Sequence, residues 1–265
     1  MYNPILTVLM SVYNGEEYLK DAVSSILKQN YTNFKFLIID NFSTDNSRKI
    51  IRSFRDSRIK LIELPENVSL AKALNIGLKK INTKLVARID ADDISKKNRL
   101  NLQVDFLLTN PEVALLGTNC EYIDSNNKII GSWETCTDHY EIINSFHKHN
   151  PFAHSSVLFD REKVSKLGYY PEEFLYAQDL ALWVKVCSKF KVANLNQTLV
   201  KIRIHNDQAT SNIKIKKLKY IEEIKIIHDI QRIPGLTKRS IINLKIKLFY
   251  MKMFHFKKQI IKLFK

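Results

Sequence analysis

Across the first 117 residues short apolar runs alternate with amphipathic stretches, and this regularity restricts the possible folds more than any other feature of the chain. Runs at 6–12, 36–39, 59–64, 85–89 and 113–116 read as buried strands, and the segments near 17–27, 46–54, 69–81 and 99–108 carry helical spacing. Strands that alternate with helices pair in parallel and are covered on both faces, because each crossover lays its helix on the sheet. The expected class is α/β with a mostly parallel sheet. Beyond about residue 120 the alternation weakens, a polar turn falls at 124–127, and helices are expected near 139–146 and 180–190.

Composition excludes several classes. A hydrophobic content of 45% over 265 residues supports an ordinary core, and six glycines and six prolines are too few for a collagen-like or disordered chain. No run approaches the roughly 18 apolar residues of a transmembrane helix. The run at 5–12 has no basic residue before it and no small-residue cleavage site after it, so it reads as a strand and a cytoplasmic location is expected. Cys120, Cys136 and Cys187 are odd in number and lack CxxC spacing, which points to reduced, structural thiols. There is no GxGxxG after the first strand and no GxxxxGK[ST], which argues against dinucleotide oxidoreductases and P-loop NTPases.

The net charge of +15 is concentrated at one end: residues 214–265 hold 15 Lys/Arg against three Asp/Glu. From about 237, Ile242, Ile246, Phe249, Met253, Phe256, Ile260 and Phe264 form one helical stripe with lysines opposite and beside it. A nearly neutral body with a basic amphipathic tail fits attachment to an anionic membrane surface better than binding of nucleic acid, which is not expected as a partner. A helix packed on the body or on another subunit has the same spacing.

Ligands of parallel α/β sheets sit beyond the carboxyl ends of the strands. There the sequence places Tyr13-Asn14, Asp40-Asn41 and Asp90-Ala91-Asp92-Asp93. Carboxylates this close repel one another unless a cation joins them, and hard oxygen ligands suit Mg²⁺ or Mn²⁺ completed by water and substrate phosphates. An Asp-x-Asp after a strand also occurs in phosphatases that use the first Asp, here Asp90, as nucleophile. A non-catalytic basic adaptor for lipid or nucleic acid is a further alternative.

Five segments carry a more specific signal. They are Ser11-Val12-Tyr13-Asn14-Gly15-Glu16, Ile38-Ile39-Asp40-Asn41-Phe42-Ser43, Ala73-Leu74-Asn75-Ile76-Gly77, Arg88-Ile89-Asp90-Ala91-Asp92-Asp93 with Arg99-Leu100, and Gln178-Asp179 with Leu182-Trp183. In this order and spacing the chain resembles glycosyltransferase family 2 over about residues 4–210. These are inverting, nucleotide-sugar-dependent enzymes with the GT-A fold, a Rossmann-like, mostly parallel sheet. The segment from Val200 to His205 and on to Ser211 is similar to bacterial transferases that build lipooligosaccharide, O-antigen or capsule.

The resemblance implies a catalytic domain over 1–213, with a nucleotide-binding half to about 117 and an acceptor half from 118, followed by the helical tail at 214–265. It implies donor binding by Val12, Tyr13, Asn14, Glu16, Asp40, Asn41, Lys72, Asp90 and Ala91, a divalent Mn²⁺ or Mg²⁺ ion held by Asp92, Asp90 and His205, and Asp179 as catalytic base. Arg203 would add a phosphate contact, Arg99 would fix the acidic loop, and the loop around His147, His149 and His154 would shape the acceptor pocket. The implied reaction moves a hexose or N-acetylhexosamine, from a UDP-linked donor, to a hydroxyl of a surface glycan or lipid-linked saccharide with formation of a β-glycoside, at the inner face of the plasma membrane. The chain departs from the family at Asn41 and Phe42, which replace the turn's second aspartate and its glycine, at Asn67-Val68-Ser69-Leu70, at Leu74, where many members carry an arginine, and at Gln178, which replaces a glutamate.

Overall fold

The structure, a computed structural model, describes residues 4–205 and 213–263; for 213–217 and 252–263 it describes the backbone alone. Strand β1 (Leu6–Val12) is buried along its whole length and pairs in parallel with β2 (Phe34–Asp40), which in turn pairs with β3 (Ile59–Glu63). Helices α1 (Leu19–Leu27), α2 (Ser47–Ser53) and α3 (Leu70–Lys80) lie between these strands and β4 (Leu85–Arg88), which flanks β1 on its other side. All four strands fall where the apolar runs place them.

The second half contains more sheet than the sequence pattern predicts. After β5 (Ile94–Ser95) and α4 (Arg99–Thr109), strand β6 continues from Val113 to Ile123 and turns into β7 (Ile129–Trp133). Helix α5 (His139–Ser145), strand β8 (Leu158–Asp160), α6 (Arg161–Ser165), α7 (Gln178–Cys187) and the long β9 (Lys191–Arg203) follow. The sheet runs β3-β2-β1-β4-β8-β6-β9-β5, with β7 paired to β6. Because β8 is antiparallel to both β4 and β6, and β9 is parallel to β6, the long strands all point the same way. Three short strands, β5, β7 and β8, run against them.

Side chains alternate between two cores, as the two-residue period of a strand requires. Leu6, Val8, Met10 and Val12 pack with Ala22, Val23, Leu100 and Val104 on one face, while Leu9, Leu37 and Ile39 pack with Leu74, Leu78 and Trp183 on the other. Helix α3 lies close on that second face because residue 77 is glycine: a Cβ there would stand 2.7 Å from Leu9 Cδ1.

Helices α8 (Ile213–Ile230) and α9 (Lys238–Leu263) join the second core. Ile226, Ile227, Ile230, Leu244, Leu248 and Met251 are buried in the cluster that holds Trp183. One face of α9 is thus packed on the body. Ile242, Ile246 and Phe249, the first members of the expected stripe, lie on its exposed face. The side chains of Met253, Phe256 and Ile260, and Phe264 altogether, lie outside the described residues, as do 206–212. Among the described residues no helix is long and apolar enough to cross a membrane.

Candidate active site

Parallel strands bring their last residues to one edge of the sheet, so Val12, Asp40, Arg88 and Arg203 end side by side although 191 positions separate the first from the last. Two adjoining cavities of about 540 and 690 Å³ open there, and Ser11, Tyr13, Asp90 and Asp92 line both.

The smaller cavity is walled by the turn after β1. Asn14 accepts from the Thr44 amide at 2.8 Å, the Gly15 amide donates to Ser47 Oγ at 2.9 Å, and Glu16 accepts from the Asn46 amide at 2.8 Å. These bonds tie the turn after β1 to the turn after β2, so Asn14 and Glu16 shape the wall as well as face the cavity.

In the second turn Phe42 keeps the left-handed backbone, with φ of 67°, that a glycine adopts without strain. Its ring is half exposed and lies 5.9 Å from the Arg48 guanidinium. Phe42→Gly is therefore expected to be more stable than Phe42→Ala by about 1 kcal/mol, since both lose the ring and only glycine relieves the backbone. Urea midpoints of the two variants check this; equal midpoints would contradict it.

Three expected donor contacts change character. Asp40 is fully buried and accepts from Arg48 Nε at 2.5 Å, so its charge is neutralised inside the protein and it lines neither cavity. Asn41 lines the larger cavity but spends its amide on the backbone of Val68, donating at 2.8 Å and accepting at 3.0 Å. Lys72 is exposed, 4.0 Å from Glu66, on the face of α3 away from Leu74 and Leu78, and lines neither cavity.

The acidic loop after β4 separates its three carboxylates by giving each a different partner. Asp90 is gripped by the buried Arg88 guanidinium and by Ser155, whose hydroxyl donates to it at 2.8 Å. Burial works to raise the Asp90 pKa, but Arg88 and its neighbours outweigh it and hold the group below the ordinary carboxylate range. Asp92 lies 3.1 Å from His205 Nε2, and burial together with the Asp90 charge raises its pKa. Buried Asp93 accepts from the Arg203 amide at 2.8 Å and is pushed well up by burial, Asp92 and Asp90.

The Arg203 side chain, expected at a phosphate, is instead occupied structurally. It donates to the carbonyls of Asp92 and Asp124 and to Asn127, and its guanidinium lies over the Tyr18 ring. Arg99 fixes the loop from below by donating to the Arg88 and Val157 carbonyls.

Among the described residues no three His, Cys, Asp or Glu side chains form a complete metal cage. Asp92 and His205 nonetheless make an oxygen-nitrogen pair facing the smaller cavity, and the buried Nδ1 of His205 has no hydrogen-bond partner. Such a pair fits a divalent ion that takes most of its shell from water and diphosphate oxygens. Asp90 faces the same space with its charge already shared by Arg88.

The larger cavity holds Asp179, in the first turn of α7. Its carboxylate accepts from Asn150 Nδ2 at 3.0 Å, and burial raises its pKa against the opposing pull of Lys219. His154 bonds to the Tyr170 hydroxyl at 2.8 Å and is held neutral, by burial first and by Arg88 second. Asp179 and the Asp90/Asp92 pair therefore face one continuous space.

The sequence model described as Glycosyl transferase family 2 matches residues 7–168. The chain belongs to glycosyltransferase family 2. This glycosyltransferase is 31% identical over 252 residues to the Escherichia coli UDP-Gal:alpha-D-GlcNAc-diphosphoundecaprenol beta-1,3-galactosyltransferase, covering 93% of this chain and 90% of the relative. It is 30% identical over 217 residues to the Escherichia coli UDP-Glc:alpha-D-GlcNAc-diphosphoundecaprenol beta-1,3-glucosyltransferase WfgD, covering 81% and 83%. Its fold is similar to that of Staphylococcus aureus TarS 1-349 in complex with UDP-GlcNAc, with a TM-score of 0.75 at 18% identity over 92% of this chain and 72% of that one.

Within this family 2 enzyme no sequence motif assigns a role to Arg88, Asn150 or Lys219, and Ser155 is expected only as part of the acceptor-pocket loop. Arg88 stands inside a recognised segment, two residues before the aspartate it grips, and an arginine within the apolar run at 85–89 is the signal that the sequence offers. Asn150 and Lys219 are brought to Asp179 by tertiary packing across 29 and 40 positions, which no local pattern reports.

Proposed function

We propose that this glycosyltransferase moves a hexose or N-acetylhexosamine from a UDP-linked donor to a hydroxyl of a lipid-linked saccharide during bacterial surface glycan assembly, with inversion to a β-glycoside. The observation that carries the reading is that Asp179 lines the same cavity as Asp90 and Asp92, while Asp92 meets His205 in the adjoining one. The Escherichia coli relatives, named for UDP-sugar donors and a diphosphoundecaprenol acceptor, support the substrate class.

The smaller cavity receives the nucleotide, with Val12, Tyr13, Ala91 and the laced Asn14/Glu16 turn as its wall. Asp92 and His205, with Asp90, would hold a Mn²⁺ or Mg²⁺ ion, which when bound offsets the charge of the diphosphate leaving group. A similar fold from Pyrobaculum calidifontis is described in complex with GDP-Man and Mn2+. Asp179 takes the acceptor hydroxyl proton as that oxygen attacks the anomeric carbon, while Asn150 fixes its orientation and Lys219 favours its ionised form. A single in-line displacement inverts the anomeric centre. A phosphatase reading would need Asp90 free to attack, and Arg88 and Ser155 engage both of its oxygens.

Incubation with UDP-, GDP- and dTDP-hexoses, Mn²⁺ and a GlcNAc-diphosphopolyprenol acceptor tests the proposal. UDP release that depends on the acceptor is expected. Release of inorganic phosphate without acceptor, or no turnover of any UDP-sugar, would overturn it.

The body to 213, joined by α8, which brings Lys219 to the Asp179 cavity, is read as the catalytic unit, and the basic helix α9 as the attachment to the cytoplasmic face of an anionic membrane. Exposed Ile242, Ile246 and Phe249 on α9, with Arg239 and Lys245 at helical spacing beside them, support this. Removing residues from 237 onward would also strip Leu244, Leu248 and Met251 from the core, so surface substitutions are the cleaner test. The double variant Ile246→Glu, Phe249→Glu is expected to melt like the parent and to lose cosedimentation with phosphatidylglycerol vesicles. Parent binding is expected to weaken with salt, because each Lys or Arg near the surface contributes about 1 kcal/mol that ions screen. Undiminished binding by the double variant would remove this face as the contact.

A further inference from the structure

Helix α8 reaches back to the turn that precedes α7. Glu222, 9% exposed, accepts three consecutive backbone N–H groups: Leu175 at 2.8 Å on Oε1, and Tyr176 and Ala177 at 2.9 Å each on Oε2. These amides lead into the helix N-terminus, where donors have no partner within the helix. The capping residue, Ala177, offers no side-chain hydrogen bond to the first turn. A carboxylate 45 positions downstream instead holds the backbone just ahead of the helix, the Ala177 amide included. Asp179 is the second residue of α7, so the position and direction of its side chain follow from where this turn is held. From the other side, Asn150 donates to the same Asp179 carboxylate.

We propose that Glu222 is a positioning residue for the transfer reaction: by clamping the Leu175–Ala177 amides it fixes the start of α7 and, through it, the Asp179 carboxylate at the acceptor hydroxyl. The inference rests on the reading of Asp179 as the base. It makes α8 part of the catalytic apparatus, since the same helix also brings Lys219 to the cavity lined by Asp179.

The test uses the 265-residue chain, UDP-glucose and UDP-galactose as donors, and a GlcNAc-diphosphopolyprenol acceptor. Glu222→Gln preserves shape but turns an N–H₂ group toward the backbone donors, and Glu222→Asp keeps the charge on a shorter arm. Both are expected to lower kcat by about tenfold or more, the scale of a misplaced catalytic group, with donor KM and UDP affinity unchanged. Hydrogen exchange in a peptide spanning 174–180 is expected to quicken in both while the β-sheet stays protected. The double variant Glu222→Gln, Asp179→Asn is expected to be no slower than Asp179→Asn alone, because both changes act through one group.

Parental kcat in both Glu222 variants beside an impaired Asp179→Asn would overturn this inference and leave the base reading standing. So would losses that multiply in the double variant. A fully active Asp179→Asn would overturn the base reading and this inference with it. Should Glu222→Gln fail to fold, Glu222→Asp carries the same comparison.

Discussion

Asp179→Asn is expected to leave UDP affinity intact and to lower transfer turnover by about 10²-fold or more, the contribution of a general base. The amide has the size of the carboxylate and can still meet Asn150, but it cannot take a proton. The pH profile gives a second reading. Burial raises the Asp179 pKa, so the acid limb of kcat belongs above the ordinary carboxylate range and disappears in the variant. Linkage fixes the sign for stability: between the unfolded and folded pKa values the native state binds more protons, so stability falls as pH rises through that window. Asp179→Asn removes this loss and is expected to melt at or above the parent at neutral pH. Turnover within a few-fold of the parent would mean that Asp179 only caps α7.

Asp92→Ala is expected to weaken UDP binding in Mn²⁺ by more than about 100-fold, beyond the loss typical of a residue that merely supports a ligand. Binding without Mn²⁺ is expected to change little. The reason lies in the division of labour within the acidic loop. Asp90, though it faces the cavity, is committed to Arg88 and Ser155, and Asp93 to the Arg203 amide, which leaves Asp92 with His205 as the pair at the cavity that no arginine holds. Removing one of three crowded carboxylates also relieves Asp93, whose pKa is raised by burial and by Asp92, so the variant is expected to fold at least as stably. Calorimetric titration of UDP with and without Mn²⁺ measures the effect. Equal affinities for parent and variant in Mn²⁺ would take the ion away from this pair.

The strands β1 to β4 and the position of the acidic loop were legible in the sequence because buried β1, β2 and β4 leave nearly continuous apolar runs and the half-buried edge strand β3 still sets Ile59, Leu61 and Ile62 around Lys60. The 13-residue β9 was not, since it includes polar Asn194, Asn196, Gln197 and Thr198 and its pairing with β6 shifts register near Asn119, which breaks the two-residue period. The aspartates of the site were legible as a constellation, but their partners were not. Asp40 reads as a ligand contact until Arg48 is found beside it, and Arg203 reads as a phosphate contact until its donors are found on Asp92, Asp124 and Asn127. Sequence patterns report where charge stands along the chain; which charges neutralise one another is decided when distant segments pack. Glu222 is the extreme case, one of three acids in a segment whose 15 basic residues dominate any local reading.

That clamp has a consequence for the order in which the enzyme comes into being. During synthesis the amino-terminal half emerges first, and β1, β2, β3 and β4 pair with one another in one parallel sheet. The nucleotide wall can therefore assemble while the rest of the chain is still being made. The turn before α7 waits for Glu222, and the second core waits for Leu244 and Met251. A nascent chain can thus shape the two turns beside β1 and β2 well before the start of α7 is held, and on the proposed reading competence for transfer waits until α8 has been made.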